Sequence, residues 1–231
     1  MKSYTFLLFD ADNTLLDFDA NEAVSIRATL EHFGVPPTEE VVQLYSGINR
    51  RYWKQYDEGR LTQEQVLLLR FEELFSRLDR PCEPQTVEDF YRVQLGLGHQ
   101  VIPGALELLE ELRGHYRLIM VTNGVAQTQY PRLRQSGLDR YFEKIFISEE
   151  VGFHKPEKGY FDYVFSHVPG FEPDRALIIG DSLSSDIRGG MNAGIDTCYY
   201  DRRGVGSGGL TPTVTIHDLR ELRTFLNADK Q

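Results

Sequence analysis

The sequence has few cysteines and no long apolar segment. Only two cysteines, Cys82 and Cys198, occur among 231 residues, and they form no CxxC pair. This scarcity argues against a disulfide framework and against a thiolate zinc site. No apolar stretch reaches the roughly 18 residues of a membrane-spanning helix, and the apolar run after Lys2 ends at Asp10, which is too short for a secretion signal. We therefore expect a cytoplasmic protein that has no membrane partner.

Positive charge is the second scarcity. The chain carries 25 Lys and Arg residues against 35 Asp and Glu residues, so its formal net charge is −10. The average field of such a chain repels polymeric nucleic acid, which we therefore do not expect as a partner. A small phosphorylated molecule remains compatible with the composition, because one focused cationic pocket can overcome an acidic average. Apolar residues make up 41% of the chain, enough for a substantial core.

Three short apolar runs, at residues 5–10, 117–124 and 176–182, dominate the hydrophobic pattern. Continuous runs of this length are typical of strands buried on both faces of a parallel sheet. Helical patterns separate them, and weaker strand patterns follow. The helices are expected at 104–115, at 157–168 with Pro156 at the first helical position, and at 217–227; the weaker strands are expected at 144–148, 197–200 and 213–216. The alternation predicts an α/β fold with a parallel sheet.

Residues 17–97 show a different pattern. They contain four helical patterns and no convincing strand. The sequence therefore predicts a core made of residues 1–16 and 98–231, with an all-helical insert at 17–97. An insert that leaves directly after a strand is expected to lie over the residues at the end of that strand.

Polar residues follow each of the three strong strands. Asp10, Asp12 and Thr14 follow the first, Thr122, Asn123 and Gly124 end the second, and Asp181 and Asp186 follow the third. Ligands of open parallel sheets bind at the carboxyl edge, where these residues should meet. Clustered carboxylates favour a hard divalent cation, and Mg²⁺ takes one or two protein carboxylates together with water and phosphate oxygens. We therefore expect a Mg²⁺ site at this edge.

The sequence contains partial matches to two other motifs. A calcium loop beginning at Asp10 would need glycine at its sixth position and glutamate at its twelfth, where the chain has Leu15 and Asn21. A G-x-G-x-x-G pattern is present at Gly204–Gly209, but Leu-Thr-Pro follows it instead of a helix, so a flexible loop is the preferred interpretation. Neither motif is adopted.

The four motifs together identify a family. Asp10-x-Asp12-x-Thr14, Thr122, Lys155 in "GFHKP" and Asp181 to Asp186 in "GDSLSSD" occur in the order that resembles the haloacid dehalogenase-like hydrolase superfamily. The resemblance covers essentially the whole chain, and it implies a Rossmann-like core with a helical cap of the first type. The stretches "FDADNTLLDFD" and "ISEEVGFHKP", with Trp53, Gly59 and Arg70-Phe71 in the insert, resemble more closely the bacterial house-cleaning pyrimidine 5′-nucleotidases.

The resemblance implies a role for each site residue. Asp10 would be the nucleophile that forms an aspartyl-phosphate, Asp12 the general acid and base, and Lys155 the cation that offsets the charge of the phosphate. The implied Mg²⁺ ligands are the Asp10 carboxylate, the Asp12 backbone carbonyl and Asp181, with Asp186 binding directly or through water. The implied phosphate-binding and substrate-binding residues are Thr14, Thr122, Asn123 and Gly124.

The expected function is hydrolysis of small phosphomonoesters, particularly pyrimidine nucleoside 5′-monophosphates, with Mg²⁺ as cofactor. A phosphatase or phosphomutase of sugar phosphates is the alternative on the same core, although mutases usually carry glycine where this chain has Asn13. A phosphoaspartate receiver module is an alternative of another class, but receivers are about half this length and lack the Asp10-x-Asp12 pair with a helical insert. A binding protein without activity is a further alternative.

The insert contains a basic and aromatic cluster made of Asn49, Arg50, Arg51, Trp53, Lys54 and Tyr56, and Arg70 and Phe71 lie further along the insert. An ordinary amphipathic helix whose aromatic residues pack inside the insert is the preferred interpretation. The alternative is that some of these side chains contact a nucleobase.

Overall fold

The structure is a computed structural model, and it describes residues 3–228. The strands are β1 (Phe6–Phe9), β2 (Arg117–Thr122), β3 (Lys144–Ile147), β4 (Ala176–Gly180), β5 (Asp196–Tyr200) and β6 (Val214–Ile216). The helices are α1 (Phe18–His32), α2 (Glu39–Asp57), α3 (Gln63–Arg77), α4 (Pro84–Leu97), α5 (Ala105–Leu112), α6 (Ala126–Ser136), α7 (Ser148–Val151), α8 (Lys158–His167), α9 (Arg188–Ala193) and α10 (Leu219–Ala228).

The strands form one parallel sheet in the order β3-β2-β1-β4-β5-β6. This confirms the predicted α/β fold, and every strand predicted from the sequence is present. Strand order runs in one direction from β1 through β2 to β3 and in the other from β4 to β6. The carboxyl ends of β1 and β4 therefore flank the point of reversal, which is where open α/β sheets bind their ligands.

Alternation along β1 explains why this strand lies at the centre of the sheet. Phe6 and Leu8 face one apolar core with side chains of α8, whereas Leu7 and Phe9 face the other with side chains of α5 and α10. All four are at most 1% exposed. Burying a side chain of this size contributes about 1.5 to 3 kcal/mol, so the strand that leads to Asp10 is firmly anchored on both faces.

The described chain divides into two compact units. The sheet unit contains the residues up to Asp17, Val101–Ala126 and the residues from Leu133 onward; the helical unit contains Phe18–Gln100 with residues 127–132. Helices α1 to α4 of the helical unit pack around their own apolar core, which includes Ile26, Tyr45 and Phe71. The sequence places residues 17–97 in the insert and residues 127–132 in the core, and this division stays a prediction.

Two local features differ from the sequence expectations. Helix α8 begins at Lys158 with Glu157 as its N-cap, so Pro156 precedes the cap instead of occupying the first helical position. Helix α6 was not predicted, because Pro131 lies inside it and proline normally interrupts a helix. Across residues 3–228, no helix combines the length and apolar character that crossing a bilayer requires.

Candidate active site

Asp10 lies at the carboxyl end of β1 and continues the hydrogen-bond ladder of the sheet, since its backbone N–H donates to the carbonyl of Ile179 at 2.9 Å. The residue is 7% exposed. The hydroxyl of Thr14 donates to Asp10 Oδ2 at 3.2 Å. The backbone of a buried, paired strand thus fixes the carboxylate that the sequence predicts as the nucleophile.

Lys155 reaches the same place from the loop between α7 and α8. Its ammonium group donates to Asp10 Oδ1 at 2.7 Å, to Asp186 Oδ1 at 2.6 Å and to the carbonyl of Val121 at 2.8 Å. The side chain is 1% exposed. Burial opposes the charge on Lys155, but the carboxylates of Asp10 and Asp186 outweigh that effect and raise the pKa of the ammonium. Lys155 is therefore a fixed cation at the edge of the sheet.

Asn123 holds the backbone of this lysine. Its side-chain amide donates to the carbonyl of Lys155 at 2.8 Å and accepts from the N–H of Lys155 at 2.9 Å. The amide thus joins the end of β2 to the Lys155 loop. Its predicted contact with phosphate stays a prediction, and these two hydrogen bonds are with the backbone of Lys155.

Thr122 and Gly124 form the turn that follows β2. Thr122 is 1% exposed, and its hydroxyl oxygen accepts from the N–H of Gly124 at 3.1 Å. Because β2 pairs with β1, this turn lies beside the end of β1. The structure therefore brings the predicted phosphate-binding residues of β2 to the same edge as Asp10 and Lys155.

Asp186 is fully buried, and both of its carboxylate oxygens have partners. Oδ1 accepts from Lys155, and Oδ2 accepts from the N–H of Ser182 at 3.1 Å. Space for the carboxylate comes from Gly180, where an added Cβ would lie 2.2 Å from Asp186 Oδ2. Gly180 is not among the predicted site residues, although its place directly before Asp181 at a strand end was a usable signal.

Asp181 completes a group of three carboxylates. The oxygens that Asp10, Asp181 and Asp186 offer to a common partner lie within 4.8 Å of one another. Burial and the neighbouring carboxylates raise the pKa of Asp181 well above its usual value. Burial, with further contributions from Asp186 and Asp12, also raises the pKa of Asp10 to about 7, although Lys155 opposes the shift.

This group of carboxylates fits a divalent cation. Three carboxylates face a single ammonium, so negative charge is in excess in a largely buried place. Buried carboxylates that repel one another are stabilised by a hard cation, and oxygen-only ligands at this spacing suit Mg²⁺. Asp10, Asp181 and Asp186 are the residues whose side chains could hold the ion.

Asp12 lies in the turn after Asp10, and its side chain is not part of the three-carboxylate group. An isolated bridge joins Asp12 to Leu16, and the N–H of Asn13 donates to the carbonyl of Leu16 at 2.7 Å. Asn13 has φ of 59°, a left-handed conformation that asparagine tolerates better than most residues. The turn keeps Asp12 close to Asp10, and the charge of Asp12 is one of the causes that raise the pKa of Asp10.

The helical unit contains a second set of buried charges. Arg70 donates to Glu88 at 2.5 Å and to Asn49 at 2.9 Å, and Asn49 donates to Glu22 at 2.6 Å. The guanidinium of Arg70 also lies over the rings of Phe71 and Tyr91. Because Arg70 is 3% exposed and Phe71 is 0% exposed, these two side chains pack inside the helical unit, and the hypothesis that they contact a base is not supported.

The chain is similar to proteins of one known family. Residues 7–200 match the family described as Haloacid dehalogenase-like hydrolase. The HAD-hydrolase YfnB of Bacillus subtilis is 43% identical over 99% of this chain and 98% of its own length. The pyrimidine 5′-nucleotidase PynA of Streptococcus pneumoniae is 38% identical over 86% of this chain and 84% of its length, and YjjG of Escherichia coli, also a pyrimidine 5′-nucleotidase, is 34% identical over 96% and 98%.

A solved structure supports the same relationship. The crystal structure of YfnB bound to magnesium superposes with a TM-score of 0.94 and covers 98% of this chain and 100% of that one. The magnesium belongs to that crystal. For the present chain, the superposition establishes that the sheet and its connections follow the fold of a close relative.

Proposed function

Because the chain belongs to the haloacid dehalogenase-like hydrolase family, we propose that it is a Mg²⁺-dependent phosphomonoesterase that hydrolyses nucleoside 5′-monophosphates, pyrimidine ones in particular. The observation that carries the proposal is the buried group of Asp10, Asp181 and Asp186 around Lys155, in which negative charge exceeds positive charge. Two relatives above 30% identity are pyrimidine 5′-nucleotidases, and this supports the choice of substrate.

In the first half of the reaction, a carboxylate oxygen of Asp10 attacks the phosphorus atom of the ester. The new P–O bond forms the aspartyl-phosphate while the bond to the nucleoside oxygen breaks, and Asp12 gives its proton to that oxygen. Lys155 keeps the Asp10 carboxylate oriented through its 2.7 Å hydrogen bond. When bound, Mg²⁺ supplies positive charge that offsets the repulsion between the carboxylate and the phosphate dianion.

In the second half, Asp12 removes a proton from a water molecule. The resulting hydroxide attacks the phosphorus atom, the bond to Asp10 breaks, and inorganic phosphate leaves. Asp12 therefore acts first as an acid and then as a base. These two roles explain why an aspartate is needed two residues after the nucleophile. Thr122, Asn123 and Gly124 are the proposed donors to the phosphate oxygens.

The two cysteines are both free. This agrees with a reducing compartment, so a cytoplasmic location forms part of the proposal. The proposed partner is a small phosphorylated substrate and not polymeric nucleic acid, in keeping with the net charge of −10.

A phosphate-release assay over a panel of esters tests the function. We expect UMP, CMP and dTMP to be hydrolysed in the presence of Mg²⁺ with a kcat/KM at least about tenfold above that for sugar phosphates and purine nucleotides. A preference for sugar phosphates would overturn the substrate assignment in favour of the alternative on the same core. Absence of hydrolysis of every ester, including p-nitrophenyl phosphate, would overturn the phosphatase itself. The Asp10→Asn protein is the negative control for background phosphate release.

A further inference from the structure

The glycine-rich segment 202–210 begins at the same edge of the sheet as the active site. Gly180 on β4 pairs with Tyr199 on β5, so the two strands end at nearly the same level of the carboxyl edge. Arg202 and Arg203 come immediately after Asp201, the first residue beyond the pair of strands. Two adjacent arginines therefore stand near Asp181 in a chain whose net charge is −10.

Several contacts hold this segment in place. The carboxylate of Asp201, itself buried, accepts from the N–H groups of Val205 at 2.9 Å and Gly206 at 2.8 Å. Arg202 forms an ion pair with Asp17 at 3.1 Å, which ties the segment to the chain that follows the Asp10 turn. These contacts define a turn at the start of the segment.

The far end of the segment also approaches the Asp181 turn. A Cβ on Gly208 would lie 3.4 Å from the side chain of Leu183, two residues beyond Asp181. The segment thus leaves β5 and returns to the turn that carries Asp181. Arg203 lies between these two points of attachment and is exposed.

Arg203 and Lys155 lie on opposite sides of β1. Arg203 follows β5, whereas Lys155 contacts Val121 on β2. The tips of β1 and β5 are two strand spacings apart, about 10 Å, a distance that a bound phosphate and an arginine side chain can span together.

The proposed reaction needs a cation at this position. One ammonium group and one divalent cation together neutralise the three carboxylates of the site. A phosphate dianion would then add two negative charges, and neither the ammonium nor the divalent cation has charge left to offset them. A guanidinium is suited to the task because its planar donors match phosphate oxygens in pairs.

We propose that Arg203 binds the phosphate dianion of the substrate from the β5 side of the site. This inference rests on the proposed function, because it assigns to Arg203 the phosphate group of the same ester. Segment 201–210 is then a substrate-binding element: Asp201 and Arg202 fix its conformation, and Arg203 makes the contact.

Calorimetric titration of inorganic phosphate into the Mg²⁺-loaded protein tests the inference without requiring turnover. We expect Arg203→Ala to bind phosphate about tenfold more weakly than the wild type and Arg203→Lys to recover part of the loss. The control is Arg113→Ala, an exposed arginine that precedes β2 at the opposite edge of the sheet and pairs only loosely with Glu110 at 3.7 Å. It should bind phosphate like the wild type.

A parallel Mg²⁺ titration separates substrate binding from a structural contact with Asp181. If Arg203 binds the substrate, Arg203→Ala retains or strengthens Mg²⁺ binding while phosphate binding weakens and the KM for UMP rises more than kcat falls. Equal phosphate affinity in the wild type and Arg203→Ala would overturn the inference and leave the proposed function intact. A wild-type protein that neither binds phosphate nor hydrolyses any ester would overturn both.

Discussion

Each unit of the molecule contains a network of buried charges, and the two networks differ in balance. In the helical unit, Arg70 and the half-buried Arg92 face Glu88, and Glu22 is bonded through Asn49 to Arg70, so this network holds two cations and two anions. In the sheet unit, the Lys155 ammonium pairs with Asp10 and Asp186, and Asp181 lies close to both, so this network holds one ammonium and three carboxylates.

The difference separates a structural network from a functional site. In a balanced buried network each charge is paired within the network, and the network affects the stability of the fold. An unbalanced one is costly unless something else supplies the missing charge, and here a divalent cation suits the oxygen ligands. The comparison predicts that substitutions in the sheet unit's cluster impair chemistry most, whereas substitutions in the helical unit's network impair stability most.

The largest effect is expected for Asp10→Asn. An amide cannot attack phosphorus, so turnover of p-nitrophenyl phosphate should fall by a factor of about 10⁴ or more. Because the change also removes one of three mutually repelling carboxylates, the thermal midpoint of the metal-free protein should rise or stay the same. Turnover is followed by phosphate release and folding by calorimetry. Substantial activity in Asp10→Asn would refute the covalent mechanism.

Lys155→Met should damage both activity and stability. The change leaves the Asp10 and Asp186 carboxylates buried without their shared cation, which costs about 3 to 5 kcal/mol of unfolding free energy. Turnover should also fall by about 10³-fold, because the cation also offsets the charge of the phosphate. Urea unfolding and phosphate release measure the two effects. If high Mg²⁺ concentration restored full stability and full activity, Lys155 would have no role of its own.

Arg70→Met makes the opposite prediction. It removes the cation paired with Glu88 inside the helical unit, so unfolding free energy should fall by about 3 kcal/mol, whereas turnover of p-nitrophenyl phosphate by the folded protein should stay within about threefold of the wild type. Adding Glu88→Gln in the same chain removes the carboxylate left behind and should recover part of the stability. A large loss of turnover with little loss of stability would reverse the comparison.

Gly180→Ala tests the packing around Asp186. The new methyl group would overlap the Asp186 carboxylate, where the available separation is 2.2 Å, so the carboxylate or the strand must shift. We expect a loss of about 1 to 3 kcal/mol in unfolding free energy and a measurable weakening of Mg²⁺ binding. Gly47→Ala, in helix α2 where a Cβ meets no atom within 4 Å, is the control and should leave Mg²⁺ binding unchanged. Unchanged Mg²⁺ affinity in Gly180→Ala would show that Asp186 moves without consequence.

The smallest effect is a pH dependence in the helical unit. Burial raises the pKa of Glu22 above its ordinary value of 4.5, so the folded state favours the protonated form. Relative to Glu22→Gln, the wild type should therefore lose unfolding free energy as the pH rises from 4.5 through the raised pKa, and the difference should be constant above it. Thermal unfolding of the two proteins over a pH series measures this. A wild type that becomes less stable relative to Glu22→Gln as the pH falls would contradict the assigned direction.

Residue patterns were sufficient to predict the sheet and the acidic site. Each strand is a short apolar run, and the residues that follow β1, β2 and β4 meet at one edge because parallel strands place their carboxyl ends together. These signals depend only on local pattern and on topology, and both are carried by the sequence.

The rest depended on three-dimensional contacts. The hydrogen bonds of Asn123 to the backbone of Lys155 join residues 32 apart in the chain, and the space that Gly180 leaves for Asp186 is visible only when both are placed. Pro131 concealed α6, because the usual effect of proline is to end a helix. The burial of Arg70 inside the helical unit was likewise invisible, since periodicity alone does not identify the partner of a charged residue.

The most direct test of the central claim is a calorimetric titration of Mg²⁺ into three metal-free proteins: the wild type, Asp181→Asn and Glu88→Gln. The account predicts that the wild type binds one ion per chain, that Asp181→Asn binds it at least about tenfold more weakly, and that Glu88→Gln binds it like the wild type. A wild type that binds no Mg²⁺ at millimolar concentration, or an Asp181→Asn protein with undiminished affinity, would contradict the claim that the excess buried charge of the sheet unit holds the cation.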